Sequence, residues 1–216
     1  MNLFSHLEVN DRNKILLFAH DVFTREGFQK VSMDEVASQL GMSKKTIYKY
    51  FDSKDILISQ VCDLRIDTIK SKIDQILELD TDCISKFELI GELHANFTKD
   101  CSQSFLRDLK IHTPDIMAKF EKFSIEFTSK VLNKLLNQGK KENLIDPKYP
   151  NSIVIEIFNA AMLCTKNSDF LIAHGFSMKE SFEFVTDMLF TGLLSNEGRK
   201  RYKQNSKKLS HQIDIA

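Results

Sequence analysis

Lys44, Lys45, Thr46, Tyr48, Lys49, Tyr50 and Lys54 crowd one short stretch of the chain, and their shared chemistry is contact with phosphate and with base edges. Ammonium groups and hydroxyls hold phosphate oxygens, while side chains that reach into a groove bond to base edges or touch a thymine methyl. The lysines alone would fit a solvated helical face in an ordinary bundle. The interleaved hydroxyls and tyrosines, and the local frame that presents them, favour DNA.

That frame can be followed residue by residue. Ser32, with Glu35 three positions on, fits a capping box, so a helix should begin there. It would bury Val36, Ala37 and Leu40 and keep Asp34, Ser38 and Gln39 outward. Gly41 supplies the positive φ of a tight interhelical turn. Ser43 then caps a second helix in which Ile47 faces the core and Lys44, Lys45, Thr46, Tyr48, Lys49 and Tyr50 cover much of the remaining surface. Small Ala37 allows the close crossing of a helix-turn-helix, which leaves the second helix free to enter a major groove. Lys44, Lys45 and Tyr48 are the candidates for base contact. Thr46, Tyr50 and Lys54 suit the backbone, and the hydroxyls of Ser32 and Ser43 and the ammonium of Lys49 complete the candidate DNA-contacting set.

On these residues the chain resembles the N-terminal DNA-binding domain of the TetR family of bacterial transcriptional regulators. The resemblance runs over about the first quarter of the chain. It starts with Ile15, Phe18, Ala19, Val22 and Phe23 at helical core spacing, continues through Gly27-Phe28 and VSMDEVA, and ends with LGMSKKTIYKYFDSKDIL. It implies a three-helix reading head, an all-helical C-terminal domain, a homodimer and a small-molecule effector. The implied division is 1–53 for DNA binding and 54–216 for effector binding and dimerisation.

Composition fits that scheme. A chain of 216 residues with 42% hydrophobic content can fill one small and one medium core. Thirty basic against thirty acidic residues give no net charge, which argues against coating nucleic acid indiscriminately. Operator binding needs only a local basic patch, here Lys44, Lys45, Lys49 and Lys54. No stretch approaches the roughly 20 apolar residues of a membrane span, and MNLFSHLEVNDRNK lacks the pattern of a signal peptide, so a cytoplasmic protein with no membrane partner is expected. Cys62, Cys83, Cys101 and Cys164 lack metal-ligand spacing and read as reduced thiols. No metal and no cofactor is expected.

The rest of the chain reads as all-α. Leu57, Val61, Leu64, Ile69, Ile73, Ile76 and Leu77 mark one connector helix from Lys54 to about Glu78, ended by Asp80-Thr81-Asp82. Further helices are predicted over 84–100 and 104–111. Pro114 suits the first turn of a long helix running to Gly139. Beyond Pro150 come apolar segments over 151–174 and 178–194. The basic run from Arg199 to Lys208 reads as a frayed helix end and solvated tail.

Phe87, His94, Phe97 and Phe105 lie on the segments that in TetR-like proteins enclose the effector cavity, as do Phe120, Phe123, Phe127 and Met162. They are the candidate pocket for an apolar effector with one polar handle, although phenylalanines at helical spacing also fill ordinary cores. Ile153, Ile157 and Ala161 on one late segment, with Phe182, Val185, Met188 and Leu189 on the other, give apolar faces wider than one partner needs. Their expected use is a four-helix bundle across a two-fold axis, the alternative being a monomeric core. Catalysis is not expected, since the chain has no phosphate-cradling glycine loop, nucleophile elbow or paired metal ligands. The functional expectation is a repressor that binds a palindromic double-stranded operator and is released by its effector. The alternative is an architectural or protein-docking DNA-bound factor with a filled C-terminal core.

Overall fold

Short polar side chains start several helices of this chain, at Ser32 and Ser43 as the sequence predicts. A computed structural model describes residues 8, 10–99, 101–165, 171 and 173–213. Asn10 caps α1 (Asp11–Glu26) by accepting from the Asn13 N–H. Ser32 and Glu35 form the reciprocal capping box of α2 (Met33–Gln39). Ser43 caps α3 (Lys44–Tyr50) through the Thr46 N–H, and Ser53 accepts from the Ile56 N–H at the start of α4 (Lys54–Leu77). Then come α5 (Cys83–Lys99), α6 (Gln103–His112, capped by Ser102) and α7 (Pro114–Lys141, with proline at its first position). The last three are α8 (Asn151–Cys164), α9 (Met178–Leu193, with a second capping box at Ser177 and Glu180) and α10 (Asn196–Ile213). The described residues are all-α, with a lone β-bridge between Ile145 and Leu194. The segment expected over 151–174 crosses residues 166–170 and 172, which lie outside the described residues, as does Asp100.

Two compact units result. The first comprises Met1–Asp74 with Asn96–Phe123, and the second Gln75–Ala95 with Ser124–Ala216. In the first, Ile15, Ala19 and Phe23 of α1, Val36 and Ala37 of α2, Ile47 of α3 and Leu57, Ile58 and Val61 of α4 share one core. Phe105 and Leu109 of α6 belong to the same core. Leu40 is partly buried and packs against it. α2 and α3, of seven residues each, are too short to stand alone in water, so this shared burial stabilises them.

In the second unit, Cys83 and Ile84 of α5 meet Leu136 of α7, Leu144, Ile145, Phe190 of α9 and Leu194. Lys86 is buried there, and its ammonium donates to the Leu77 carbonyl at 2.7 Å and to Gln138 Oε1 at 3.1 Å, satisfying an end carbonyl of α4. The basic C-terminal run departs from expectation. It lies in α10, whose first part docks: Arg201 pairs with Asp82, the Tyr202 hydroxyl donates to Asp187, Asn205 donates to Glu88, and the Tyr202 ring meets Phe190 edge-on. Among the described residues, no helix is long and apolar enough to cross a membrane.

Candidate nucleic-acid interface

The turn between α2 and α3 places the basic surface. Gly41 has φ +63°, and nothing lies within 4 Å of where its Cβ would be, so the glycine answers to backbone conformation alone. The Met42 N–H closes the turn on the Ala37 carbonyl at 2.9 Å. Ile47 is fully buried under α3 and fixes its rotation, which turns Lys45, Tyr48 and Lys49 to the exposed side. Thr46 and Tyr50 are half-buried. Ser43 Oγ spends its capacity locally, accepting from the Thr46 N–H at 3.1 Å and lying 2.8 Å from Thr46 Oγ1. Ser32 is likewise engaged in its capping box, whose hydrogen bonds hold the Glu35 carboxyl below its ordinary range. These two serines act first on helix geometry.

The lysines differ in their surroundings. Lys44 Nζ lies 2.8 Å from Asp34 Oδ1, and that hydrogen bond and charge hold its ammonium above the usual lysine value. Lys45 makes no ion pair among the described residues. Lys49 Nζ lies 5.4 Å from the Tyr50 ring centroid, a cation–π contact that orients both side chains. Lys54 is half-buried. Its ammonium sits 5.9 Å from the Phe28 ring centroid and donates to the Gln29 carbonyl, and burial lowers its pKa against the opposing charges of Asp108, Asp55 and Glu35. The candidate surface therefore combines Lys45, exposed on α3, with Lys44 tied to Asp34 at the start of α3 and Lys54 tied to Gln29 and Phe28 at the start of α4.

A residue with no local sequence signal supports this surface from behind. Asp108 of α6 is buried, and its Oδ2 accepts from the Phe28 and Gln29 N–H groups at 2.9 Å each. Those N–H groups belong to the loop between α1 and α2. Phe28 packs edge-on against both Phe23 and Phe105, at centroid separations of 6.1 and 6.0 Å. Asp34 and Asp108 were both missing from the expected site.

The other candidate residues fall into separate groups. In the first unit, Phe105 is buried against Phe28, and buried Phe97 lies under the Arg65 guanidinium at 4.2 Å. Phe120 and Phe123 are half-buried in the same unit. In the second, Phe87 stacks on Phe190 at 3.6 Å and His94 on Phe182 at 3.9 Å, while Phe127 and Met162 are half-buried. A cleft of about 410 Å³ in this unit is lined by Asp146, Lys148, Tyr149, Gly192, Leu194, Ser195, Asn196 and Arg199, none of them an expected pocket residue. On α8, Ile153 and Ile157 are more than half exposed and Ala161 is half-buried. On α9, Met188 is more than half exposed, and Phe182, Val185 and Leu189 are half-buried.

Comparison with known proteins agrees with this geometry. Residues 15–61 match the family model of the bacterial regulatory proteins of the tetR family. The chain is 25% identical over 187 residues to the HTH-type transcriptional regulator YvaF of Bacillus subtilis, covering 85% of this chain and 96% of that protein. It is 26% identical over 91 residues to the nucleoid occlusion factor SlmA of Vibrio vulnificus, covering 42% of this chain and 46% of that relative, so it spans under half of SlmA's length. A crystal structure of a TetR-family transcriptional regulator from Marinobacter aquaeolei superposes with a TM-score of 0.65 at 18% identity, over 92% of this chain and 98% of that one. Residues 15–61 are thus a DNA-binding domain of the TetR type, and the chain as a whole is similar to DNA-binding transcriptional regulators of that family.

Proposed function

We propose that this regulator is a cytoplasmic, non-enzymatic repressor that binds a palindromic operator as a homodimer and is released by a small, largely apolar effector. In this scheme 1–53 reads DNA, and 54–216 dimerises and binds the effector. The observation that carries the reading is the exposed apolar surface of α8 and α9, where Ile153, Ile157, Phe184 and Met188 are each more than half exposed. A second copy would cover these faces and set two recognition helices one DNA turn, or a multiple of it, apart. Effector binding would favour a dimer whose recognition helices no longer match successive major grooves, and a coupling of about 1 to 3 kcal/mol would release much of the DNA. Base contact falls to Lys44, Lys45 and Tyr48, and backbone contact to Thr46, Tyr50 and Lys54.

Selection of duplexes from a random library, with sedimentation of the free protein, tests the DNA half. A palindromic consensus bound by a dimer is expected. A single half-site bound by a monomer would overturn it. Thermal stabilisation by a panel of apolar metabolites, followed by operator titration with any hit, tests the effector half. Operator affinity that stays unchanged with a stabilising ligand bound would refute release.

A second reading has its own support. The partial relative SlmA is named a nucleoid occlusion factor, and in the second unit the Phe87–Phe190 and His94–Phe182 stacks fill space with rings. A DNA-bound architectural or docking factor without effector would show operator binding and no stabilisation by any small molecule.

A further inference from the structure

Asp34 projects from the first turn of α2 and Lys44 from the first turn of α3, so their ion pair bridges the two helices of the reading head. Lys44 Nζ lies 2.8 Å from one Asp34 oxygen and 3.0 Å from the other, with both side chains about 60% exposed. The Lys44 ammonium also lies 6.0 Å from the Tyr48 ring centroid. The carboxylate therefore sits among the side chains assigned to base contact. It offers the ammonium two anionic oxygens, as a DNA phosphate would. Lys45, the next residue, has no such internal partner among the described residues.

We propose that Asp34 tempers the DNA affinity of the reading head: it holds Lys44 in an internal ion pair that any duplex must exchange for its own contact. The proposal rests on the DNA-contact assignment given above. The exchange is possible because an exposed pair of this kind is weak and solvated. On an arbitrary duplex, Lys44 trades one anion for another, and the released carboxylate faces a polyanion. The trade gains nothing. On a matching site, Lys44 reaches base-edge acceptors that an arbitrary sequence does not align, such as guanine O6 and N7, and the exchange becomes favourable. The matching site bears the full cost of breaking the pair, so Asp34 lowers affinity for matching DNA at least as much as for an arbitrary duplex.

The test uses the full chain, a duplex selected from a random library by the wild-type protein, and a shuffled duplex of the same composition, both titrated with salt. Asp34→Asn is expected to bind the selected duplex about fivefold tighter and the shuffled duplex tighter by no more than that, with a salt slope steeper by about 1. Most of that gain should vanish when Lys44→Ala is added, because the released ammonium is its source. Asp34→Ser, checked by helical circular dichroism, repeats the experiment with a shorter side chain. Unchanged affinity and slope for both Asp34 variants would overturn the proposal, as would an equal gain without Lys44. Wild-type protein that selects no sequence from the library would overturn the DNA-contact assignment together with the proposal. Selection by the wild type with inert Asp34 variants would overturn the proposal alone.

Discussion

Asp108 and Gly27 approach so closely that a β-carbon at position 27 would lie 2.6 Å from Asp108 Oδ2. Gly27 also has φ +85°, so two independent constraints select glycine at this corner. The approach lets one carboxylate oxygen accept from the Phe28 and Gln29 N–H groups together. Gly27→Ala should destabilise the chain by about 2 kcal/mol from strain and displacement of the carboxylate. Asp108→Leu leaves the buried Phe28 donor and the part-buried Gln29 donor without their acceptor and should cost roughly 2 kcal/mol. Urea unfolding reads both, and a change in unfolding free energy under about 0.5 kcal/mol, the size of an ordinary surface effect, would show that the corner is not held this way.

The same corner explains what the sequence discloses about this fold and what it conceals. Ser32 with Glu35, Gly41 and Ser43 act on backbone groups within three or four residues of themselves, so the helix-turn-helix and its capping box were legible from spacing. Asp108 acts on residues 79 and 80 positions away and carries no local pattern. The basic residues of α10 read as a solvated tail because Arg201 finds Asp82 at a separation of 119, a pairing that periodicity cannot reveal. Phe105 shows the third limit: helical spacing identifies an inward-facing ring and says nothing about which core receives it.

Lys54 and Lys45 should separate in their effects on DNA. Lys54 is tied to the Gln29 carbonyl and the Phe28 ring, a fixed place from which it can meet a phosphate, whereas Lys45 is exposed on the recognition helix. Lys54→Ala should weaken binding to every duplex and flatten the salt slope by about 1, while Lys45→Ala should change the base preference. Fluorescence anisotropy on a panel of single-base operator variants distinguishes them. Equal loss on every variant for both mutants would refute the division.

Acid should weaken the first unit through His20. Its ring is 8% exposed, and burial first, then the Arg65 charge, lowers its pKa from 6.5 to about 4; Arg65 Nη1 lies 3.1 Å from Nε2. The folded state favours neutral imidazole, so between pH 6.5 and about 4 the unfolded chain binds the extra proton. Stability is thus fully present above pH 6.5 and falls as the pH drops towards 4, by roughly 3 kcal/mol at about 1.4 kcal/mol per unit. His20→Gln should remove this part of the dependence, leaving the carboxylates' own acid sensitivity. An identical pH profile for the variant and the wild type would exclude His20 as its source.

Docking of α10 predicts a stability role for Tyr202. Its ring meets Phe190 edge-on, its hydroxyl donates to Asp187 at 2.8 Å, and burial together with that carboxylate raises its pKa to about 12. Tyr202→Ala removes an aromatic contact and a charge-assisted hydrogen bond and should cost about 2 kcal/mol. Lys200→Ala, which breaks an exposed i,i+3 pair one helical face away, should cost under about 0.5 kcal/mol. Equal, negligible losses in thermal unfolding would mean that α10 contributes nothing by docking.

The apolar faces of α8 and α9 give the prediction with the widest reach. Ile153 and Ile157 are one turn apart on α8, with exposures of 56% and 52%, and Met188 on α9 is 53% exposed. An exposed apolar surface of this kind is costly in water, and a two-fold axis would bring each face against its own copy. Ile157→Glu places a carboxylate in that seam and, if the residue lies near the axis, close to its symmetry mate, where like charges repel. The variant should sediment as a monomer with unchanged helical content, because the substituted side chain is solvent-exposed in the isolated protomer. Operator affinity should fall by roughly 10² to 10⁴, the factor lost when two linked contacts become two separate ones, while affinity for a single half-site stays the same. A variant that remains dimeric and binds the full operator as tightly as the wild type would place the interface elsewhere on the protein.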